Sequence, residues 1–302
     1  MVSLILILLT SFVFSGIVIR TKSLLSGRKG PGIFQPMKDL WRLLQKGSVY
    51  SRVSSFIFRM TPAFYLTSVL IAILFIPFGS TPGLLSFDGD FIFFAYILAL
   101  GKFLLIVAAM DTGSSFEGMG ASREALFSML AEPAFFILFG SFGLYTGHTS
   151  FLDIFNAFHF ESYASYTMAV LSSFILVVFA LIENSRMPLD DPKTHLELTM
   201  IHEVMVLDHS GFDLGLIVYT SYLKFAMFGA LIANILIEAG ASIPAQLSVF
   251  AIVQCMFAII VGIVESFSSR FRMNHNSQFV LSMTSICLLI FLGISLMLGK
   301  ID

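Results

Sequence analysis

Three ionisable side chains stand inside long apolar stretches of the sequence: Lys102, Glu132 and Lys224. A charge within a membrane span costs about 2.5–3.5 kcal/mol on insertion scales, and it is usually retained because it carries ions or protons. Glu124, Ser128 and Glu132 are spaced four residues apart, so a helix would place them on nearly one face. The spacing indicates a line of proton-handling groups within a membrane; the alternative is a purely structural ion pair.

A second concentration of ionisable residues lies in the segment 183–213. Its acidic residues are Glu183, Asp190, Asp191, Glu197, Glu203, Asp208 and Asp213, against only Arg186 and Lys193. The apolar residues between 196 and 207 predict that this acidic loop is partly buried, against the helices or against a partner. Glu238 and Glu265 instead stand at the ends of apolar stretches, where we expect ordinary solvation at the membrane interface.

The sequence offers few metal ligands. Cys255 and Cys287 form no C-x-x-C pair, which excludes a cysteine-ligated zinc or iron–sulfur site in this chain. His195, His202 and His209 recur every seven residues, so one helix could carry them on a shared face. The segment after His202 lacks the second histidine of the zinc-protease signature. We therefore predict no metal site.

The elements that position these residues are membrane spans. Only 12% of the 302 residues are charged and 57% are hydrophobic, whereas soluble domains average ~25% charged residues. That composition excludes a soluble enzyme and a nucleic-acid-binding domain. Eight apolar stretches approach the roughly 20 residues that a helix needs to cross a bilayer. They are Val2–Ile19, Met60–Phe78, Phe91–Met110, Ala125–Thr146, Thr167–Ile182, Leu214–Ile237, Leu247–Val264 and Phe279–Leu298.

We therefore predict an all-α polytopic protein, with one integral membrane domain over 1–302 and eight transmembrane helices. Basic residues are confined to alternate loops: fourteen of the seventeen follow the first, third, fifth or seventh span. The other three are Lys102, Lys224 and Lys300. Loops rich in lysine and arginine face the cytoplasm, so both termini are expected on the non-cytoplasmic side.

The first cytoplasmic loop combines basic residues with a turn and a short helix. Three glycines and a proline in residues 27–35 are typical of a turn. A helix over 36–46 would be amphipathic and would lie at the membrane interface. Its apolar face would carry Met37, Leu40, Trp41 and Leu44. The loop is either a basic membrane anchor or a docking surface for a soluble partner. The second loop, 111–124, is glycine-rich, and Asp111 can cap a helix there.

Several short motifs join these loops and spans into one pattern. They are Arg28-Lys29-Gly30-Pro31-Gly32, Asp111-Thr112-Gly113-Ser114, Gly120-Ala121-Ser122-Arg123-Glu124, Glu132-Pro133, and Pro188-Leu189-Asp190 followed by Glu197-Leu198 and Ser210-Gly211. With them the whole chain resembles the membrane subunit shared by respiratory complex I (its subunit 1, or H) and the group 4 membrane-bound nickel–iron hydrogenases, including formate hydrogenlyase and hydrogenase-4. Lys193 and His195 stand where the family usually has glutamates, which favours the hydrogenase branch.

The resemblance implies a subunit that performs no redox chemistry by itself. Such a subunit anchors soluble large and small subunits beneath their last iron–sulfur cluster. It passes the energy of quinone or proton reduction to antiporter-like membrane subunits, which move protons or sodium ions. The relay would consist of Lys102, Asp111, Glu124, Glu132, Glu183, Asp190, Glu197, Glu203 and Lys224. The soluble arm would dock on Arg28, Lys29, Gly30, Pro31, Gln35 and Arg123.

The same resemblance implies no cofactor in this chain, with iron–sulfur clusters and a nickel–iron centre or quinone in or next to partner subunits. It also implies the inner (plasma) membrane of a bacterium or archaeon. Two other functions remain open. A stand-alone proton or cation transporter would explain the intramembrane charges, although we find no inverted repeat of the kind such transporters favour. A purely structural anchor would explain the basic loops.

Overall fold

The computed structural model describes residues 2–160, 163–190, 200–238 and 240–299. These residues form eleven helices and no strand of a β-sheet. Their bounds are α1 Val2–Leu25, α2 Gln35–Leu44, α3 Phe56–Phe75, α4 Asp90–Asp111, α5 Ser115–Thr146, α6 Phe151–Ala157, α7 Tyr163–Glu183, α8 His202–Met205, α9 Gly211–Leu236, α10 Ile243–Phe267 and α11 Met273–Met297. The prediction of an all-α polytopic membrane protein is confirmed, because eight of the helices are long and apolar enough to cross a membrane.

Helix α9 lies at the centre of the bundle. It packs against α1, α2, α3, α7 and α10, and it is the most buried of the eight spans. Around it, α1 packs on α10, α3 on α4, and α11 on α5. Close approach of α3 and α4 requires a glycine, because a Cβ at Gly101 would lie 2.0 Å from Ser68 Oγ. These contacts bring charges from four different spans into one interior.

The short amphipathic helix is confirmed as α2, one or two residues from its predicted ends. Pro36 occupies its first turn, where a missing N–H is tolerated. Leu40 is only 4% exposed, whereas Trp41 is 63% exposed. The predicted apolar face is therefore divided: Leu40 points into the protein, and Trp41 remains at the surface.

The second loop is shorter than predicted, because α5 begins at Ser115 rather than near Ala125. Gly113, with φ +70°, makes the turn after α4, and the helix then continues through Gly118 and Gly120. A Cβ at Gly120 would lie 2.8 Å from the carbonyl oxygen of Ile201. Gly120 is thus needed for close packing of the acidic loop on α5 and does not mark a loop.

The loops alternate between the two ends of the bundle, as the distribution of basic residues predicts. At one end, the loops after α1, α4, α7 and α10 are joined by hydrogen bonds, such as Ser55 N to Asp111 Oδ2 (2.8 Å) and Phe271 N to Pro188 O (3.1 Å). At the other end, Gly89 N donates to Thr149 O at 3.3 Å. The start of α1 and the end of α11 lie at this second end of the bundle.

Candidate functional site

Four charged side chains from four spans meet inside the bundle. We call them the buried tetrad: Lys102 of α4, Glu124 of α5, Glu183 of α7 and Lys224 of α9. Lys102 Nζ lies 2.7 Å from Glu124 Oε1 and 3.0 Å from Glu183 Oε2, and Lys224 Nζ lies 2.6 Å from Glu183 Oε1. All four side chains are between 0 and 9% exposed. The two positive and two negative charges cancel, and this pairing offsets the cost of burying them.

Two further contacts fix the tetrad. Ser185 has a left-handed backbone with φ 46°, and its hydroxyl donates to Glu124 Oε2 at 3.0 Å. Ser185 lies two residues after the end of α7, and its left-handed backbone directs the hydroxyl towards α5. The Lys224 ammonium lies 4.8 Å from the centre of the Tyr65 ring, which stabilises the cation further. Both intramembrane lysines are therefore in ion pairs, but their partners are Glu124 and Glu183 rather than the intramembrane Glu132.

Glu132 lies apart from these ion pairs. Its side chain is exposed on the outer face of the bundle, and it lines a cavity of about 30 Å³ together with Lys102 and Glu183. A cavity needs roughly 10–15 Å³ by the same measure to hold one water molecule. Pro133 follows directly and removes a backbone donor from the helix. Glu132 thus lies between the tetrad and the outer surface of the bundle.

The prediction that Glu265 is solvated at the interface is wrong. Its side chain is 2% exposed, and it lies 2.7 Å from Lys22 Nζ and 3.2 Å from Arg186 Nη1. Lys22 is 243 residues away along the chain, so sequence spacing gives no sign of the pair. Glu238, by contrast, is exposed at the end of α9 as predicted.

The acidic loop is pinned to the bundle by Asp190, which is 1% exposed. Asp190 Oδ2 accepts the N–H groups of Ile201 (2.9 Å) and His202 (3.1 Å), and Oδ1 lies 2.6 Å from Arg270 Nη2. Sequence reasoning missed one further anchor, Glu117, which is 1% exposed and accepts the N–H of Asp208 at 3.1 Å. Glu117 was not identified from the sequence because it lies in a glycine-rich segment that we interpreted as a loop.

The other predicted relay residues are more widely spread. Asp111 ends α4 and accepts the N–H of Ser55, nine residues from Lys102, or about 14 Å along the helix. Glu203 lines a polar cavity together with Lys22 of α1 and Glu265 of α10. Glu197 lies outside the described residues.

The acidic loop is partly buried, as predicted, because four of its apolar residues are buried: Met200, Ile201, Val204 and Met205. His202 lies in a four-residue helix that ends before His209. A single helix through both histidines is therefore excluded.

Some of the predicted docking residues are exposed, whereas others contact residues of this chain. Arg28, Lys29 and Pro31 are exposed, and within the described part of the chain Arg28 and Lys29 form no ion pair. Gln35 Nε2 donates to Asp39 Oδ1 at 2.8 Å. Arg123 differs from the expectation, because its guanidinium donates to Met200 O at 3.0 Å and so holds the acidic loop on α5. The Gly30 backbone packs against Ser23, whose Oγ would lie 1.9 Å from an added Cβ.

The first loop and the acidic loop form one continuous surface. Val49 N donates to Ser210 Oγ at 3.0 Å, and Asp213 N donates to Ser48 Oγ at 3.2 Å. His209 is buried and stacks on Phe58, with ring centres 4.0 Å apart. Burial lowers the pKa of His209 to about 4, so this contact is made by a neutral ring at physiological pH. We call this surface the loop platform: residues 26–55 and 200–210.

Comparison with known proteins places this architecture in a family. The family model for NADH dehydrogenase matches residues 1–296. The chain belongs to the NADH dehydrogenase family. The match includes seven of the eight spans in full and all but the last residue of the eighth.

Individual members of the NADH dehydrogenase family and its relatives agree with this assignment. The chain is 29% identical over 238 residues to hydrogenase-4 component C of Escherichia coli K12, covering 79% of this chain and 74% of that protein. It is 26% identical over 251 residues to formate hydrogenlyase subunit 4 of the same organism, covering 83% and 79%. It is 29% identical over 182 residues to NADH-ubiquinone oxidoreductase chain 1 of Aedes aegypti, covering 57% and 56%.

A solved structure confirms the fold. A chain of the membrane-bound sulfane sulfur reductase, an archaeal respiratory membrane complex, superposes with a TM-score of 0.81 at 20% identity, covering 97% of both chains. The resemblance to complex I subunit 1 and the group 4 hydrogenases is confirmed. The homologues in this family are membrane subunits of complex-I-like and hydrogenase-like respiratory complexes.

Proposed function

We propose that this chain is the membrane-anchoring and coupling subunit of a complex-I-like or hydrogenase-like redox complex. The observation that carries the proposal is the buried tetrad, in which four spans contribute a charge-neutral but protonatable cluster. A structural anchor needs no such cluster, whereas a relay needs groups that can exchange charge within a low-dielectric interior. The kinship with membrane subunits of respiratory complexes supports the same function.

The loop platform is the proposed docking site for soluble large and small subunits. Its exposed apolar residues include Phe34, Trp41, Val49, Val53 and Leu207. Exposed aromatic and apolar residues beside unpaired basic groups are typical of a surface that a partner buries. The iron–sulfur clusters, and a nickel–iron centre or a quinone, would then lie in or beside those partners.

Glu132 is the proposed exit of the relay. A carboxylate exposed on the lipid-facing side of a span is costly, so a neighbouring membrane subunit is expected to cover it. We propose an antiporter-like subunit at this position, which would move protons or sodium ions. The relay then leads from the acidic loop through the tetrad and its small cavity to Glu132.

The platform end of the bundle is expected to face the cytoplasm of the inner (plasma) membrane. The chain truncated after residues 50, 113, 207 or 270 and fused to a reporter should report cytoplasm, because the basic residues that follow odd-numbered spans resist translocation. Fusions after residues 82, 148 and 241 should report the opposite side and serve as the controls. Paired phosphatase and fluorescent-protein activities measure this directly. Inverted results at two or more positions would contradict the orientation.

Reversing two charges on the platform should release the soluble subunits. In the variant Arg28→Glu, Lys29→Glu we expect washed membranes to lose most of the soluble subunits, because both side chains are exposed and lack a partner within the described chain. Quantitative immunoblotting of membrane and soluble fractions measures the effect.

The matched control keeps both charges as Arg28→Lys, Lys29→Arg, and a second control reverses the exposed Arg272 elsewhere at the same end. Both should retain the soluble subunits. Normal retention and activity in the double Glu variant would show that docking uses another surface.

A further inference from the structure

A polar cavity lies at the platform end of the bundle, between α1, α9 and α10. Its volume is about 290 Å³, and its polar lining includes Lys22, Asn184, Arg186, Glu203 and Glu265. A cavity of this size and polarity holds several water molecules. The side chains of Lys22 and Arg186 keep 25% and 20% exposure, so solvent reaches its rim.

No residue of the buried tetrad lines this cavity, although Asn184, which follows Glu183 in the chain, does. Lys224 is fully buried and Glu124 is 2% exposed. A proton that moves from the cavity to the tetrad therefore needs a proton-carrying group between them.

His202 occupies the position between them. It lines the polar cavity. Its helix, α8, packs on α5 at Gly120, one turn before Glu124 on the same face of that helix. Its backbone N–H is held by Asp190 Oδ2, and the carbonyl of Ile201 rests against Gly120 of α5. The backbone at His202 is thus held from two sides, while its ring can still rotate.

We infer that His202 hands protons from the polar cavity to Glu124 of the buried tetrad, an inference that rests on the proposed coupling function. A hydronium ion in the cavity gives its proton to the unprotonated ring nitrogen and becomes water. The imidazolium then releases the proton from its other nitrogen to the Glu124 carboxylate, which becomes a carboxylic acid. The ring is left neutral as the other tautomer, and a ring flip or tautomer exchange resets it.

The surroundings favour a neutral resting ring. Burial lowers the pKa of His202, the carboxylates of Glu124 and Asp190 oppose that shift, and the ammonium groups of Lys224 and Lys102 reinforce it. In the cavity, Lys22 and Arg186 face Glu203 and Glu265. A neutral imidazole offers one donor and one acceptor, which a two-sided transfer requires.

The test uses the intact membrane complex in sealed vesicles, with ion pumping and redox turnover measured together. We expect His202→Ala to keep redox turnover and to pump at least tenfold more slowly, and added imidazole to restore pumping in proportion to its concentration. The matched control is His148→Ala, an exposed residue at the opposite end, which should pump normally. Wild-type pumping by His202→Ala overturns the inference.

A second measurement keeps the test decisive if the variant does not assemble. Treatment of the wild-type complex with diethylpyrocarbonate should abolish pumping in step with modification of His202, quantified by mass spectrometry. An unreactive His202, or a fully modified complex that pumps normally, overturns the inference. If His202→Ala pumps normally while Glu132→Gln does not, only this inference fails; if both pump normally, the proposed coupling function fails as well.

Discussion

Replacing Glu183 with glutamine is expected to destabilise the protein strongly. Glu183 is the shared partner of Lys102 and Lys224, so Glu183→Gln leaves the tetrad with a net positive charge inside the bundle. Removing one partner of a buried ion pair typically costs about 3–5 kcal/mol. We expect a lower thermal midpoint in detergent and a marked loss of assembled complex from membranes.

A second substitution should reverse much of this loss. The variant Glu183→Gln, Lys224→Met is neutral again, with Lys102 and Glu124 still paired at 2.7 Å. If charge balance is the cause, the double variant should be more stable than Glu183→Gln alone, and the coupling energy from the double-mutant cycle should be large. Glu238→Gln is the control, because Glu238 is exposed. Equal stability of Glu183→Gln and wild type would contradict the buried-pair interpretation.

Replacing Glu132 with glutamine should abolish ion pumping while leaving the complex assembled. Glutamine keeps the shape and hydrogen-bonding capacity of glutamate but cannot release a proton. Glu132 forms no ion pair with Lys102 or Lys224, whose partners are Glu124 and Glu183, so its loss leaves the tetrad balanced. We expect electron transfer to continue in part and the pumped charge per electron to fall towards zero, measured in sealed vesicles.

Two controls separate a relay from a structural role. Glu132→Asp retains a titratable group and should keep partial pumping. Met129→Gln adds an amide to an exposed position one turn earlier on α5 and should leave pumping intact. Normal pumping by Glu132→Gln would make Glu132 a structural residue.

The spans and the short helix could be predicted because their signals are local. Each span is a continuous apolar run, and α2 combines a proline start with an amphipathic repeat within ten residues. The start of α5 could not be predicted, because the glycine at 120 serves a packing contact with Ile201 that is distant in sequence. Helix propensity counts glycine as unfavourable, and tertiary packing overrides it here.

The candidate site could be predicted only as a set of residue types. Lys102, Glu132 and Lys224 stand out because they interrupt apolar runs, but their partners depend on which spans touch. Glu183 and Glu265 both stand at span ends, where solvation is the ordinary outcome. Both are instead buried by cations from distant helices. Ser185 gives no sequence signal, because its role depends on a left-handed backbone.

The pair between Lys22 and Glu265 has a consequence for biogenesis. Its two halves are separated by 243 residues, so at typical translation rates of about 5–20 residues per second the lysine emerges roughly 10–50 s before its partner. Arg186, which pairs with the same Glu265 carboxylate, is also synthesised before it. Lys22 therefore stays solvated at the end of the first span until the seventh span brings Glu265 to it, and this end of the bundle is completed only then. The proposed docking of soluble subunits on that end would thus follow synthesis of nearly the entire chain.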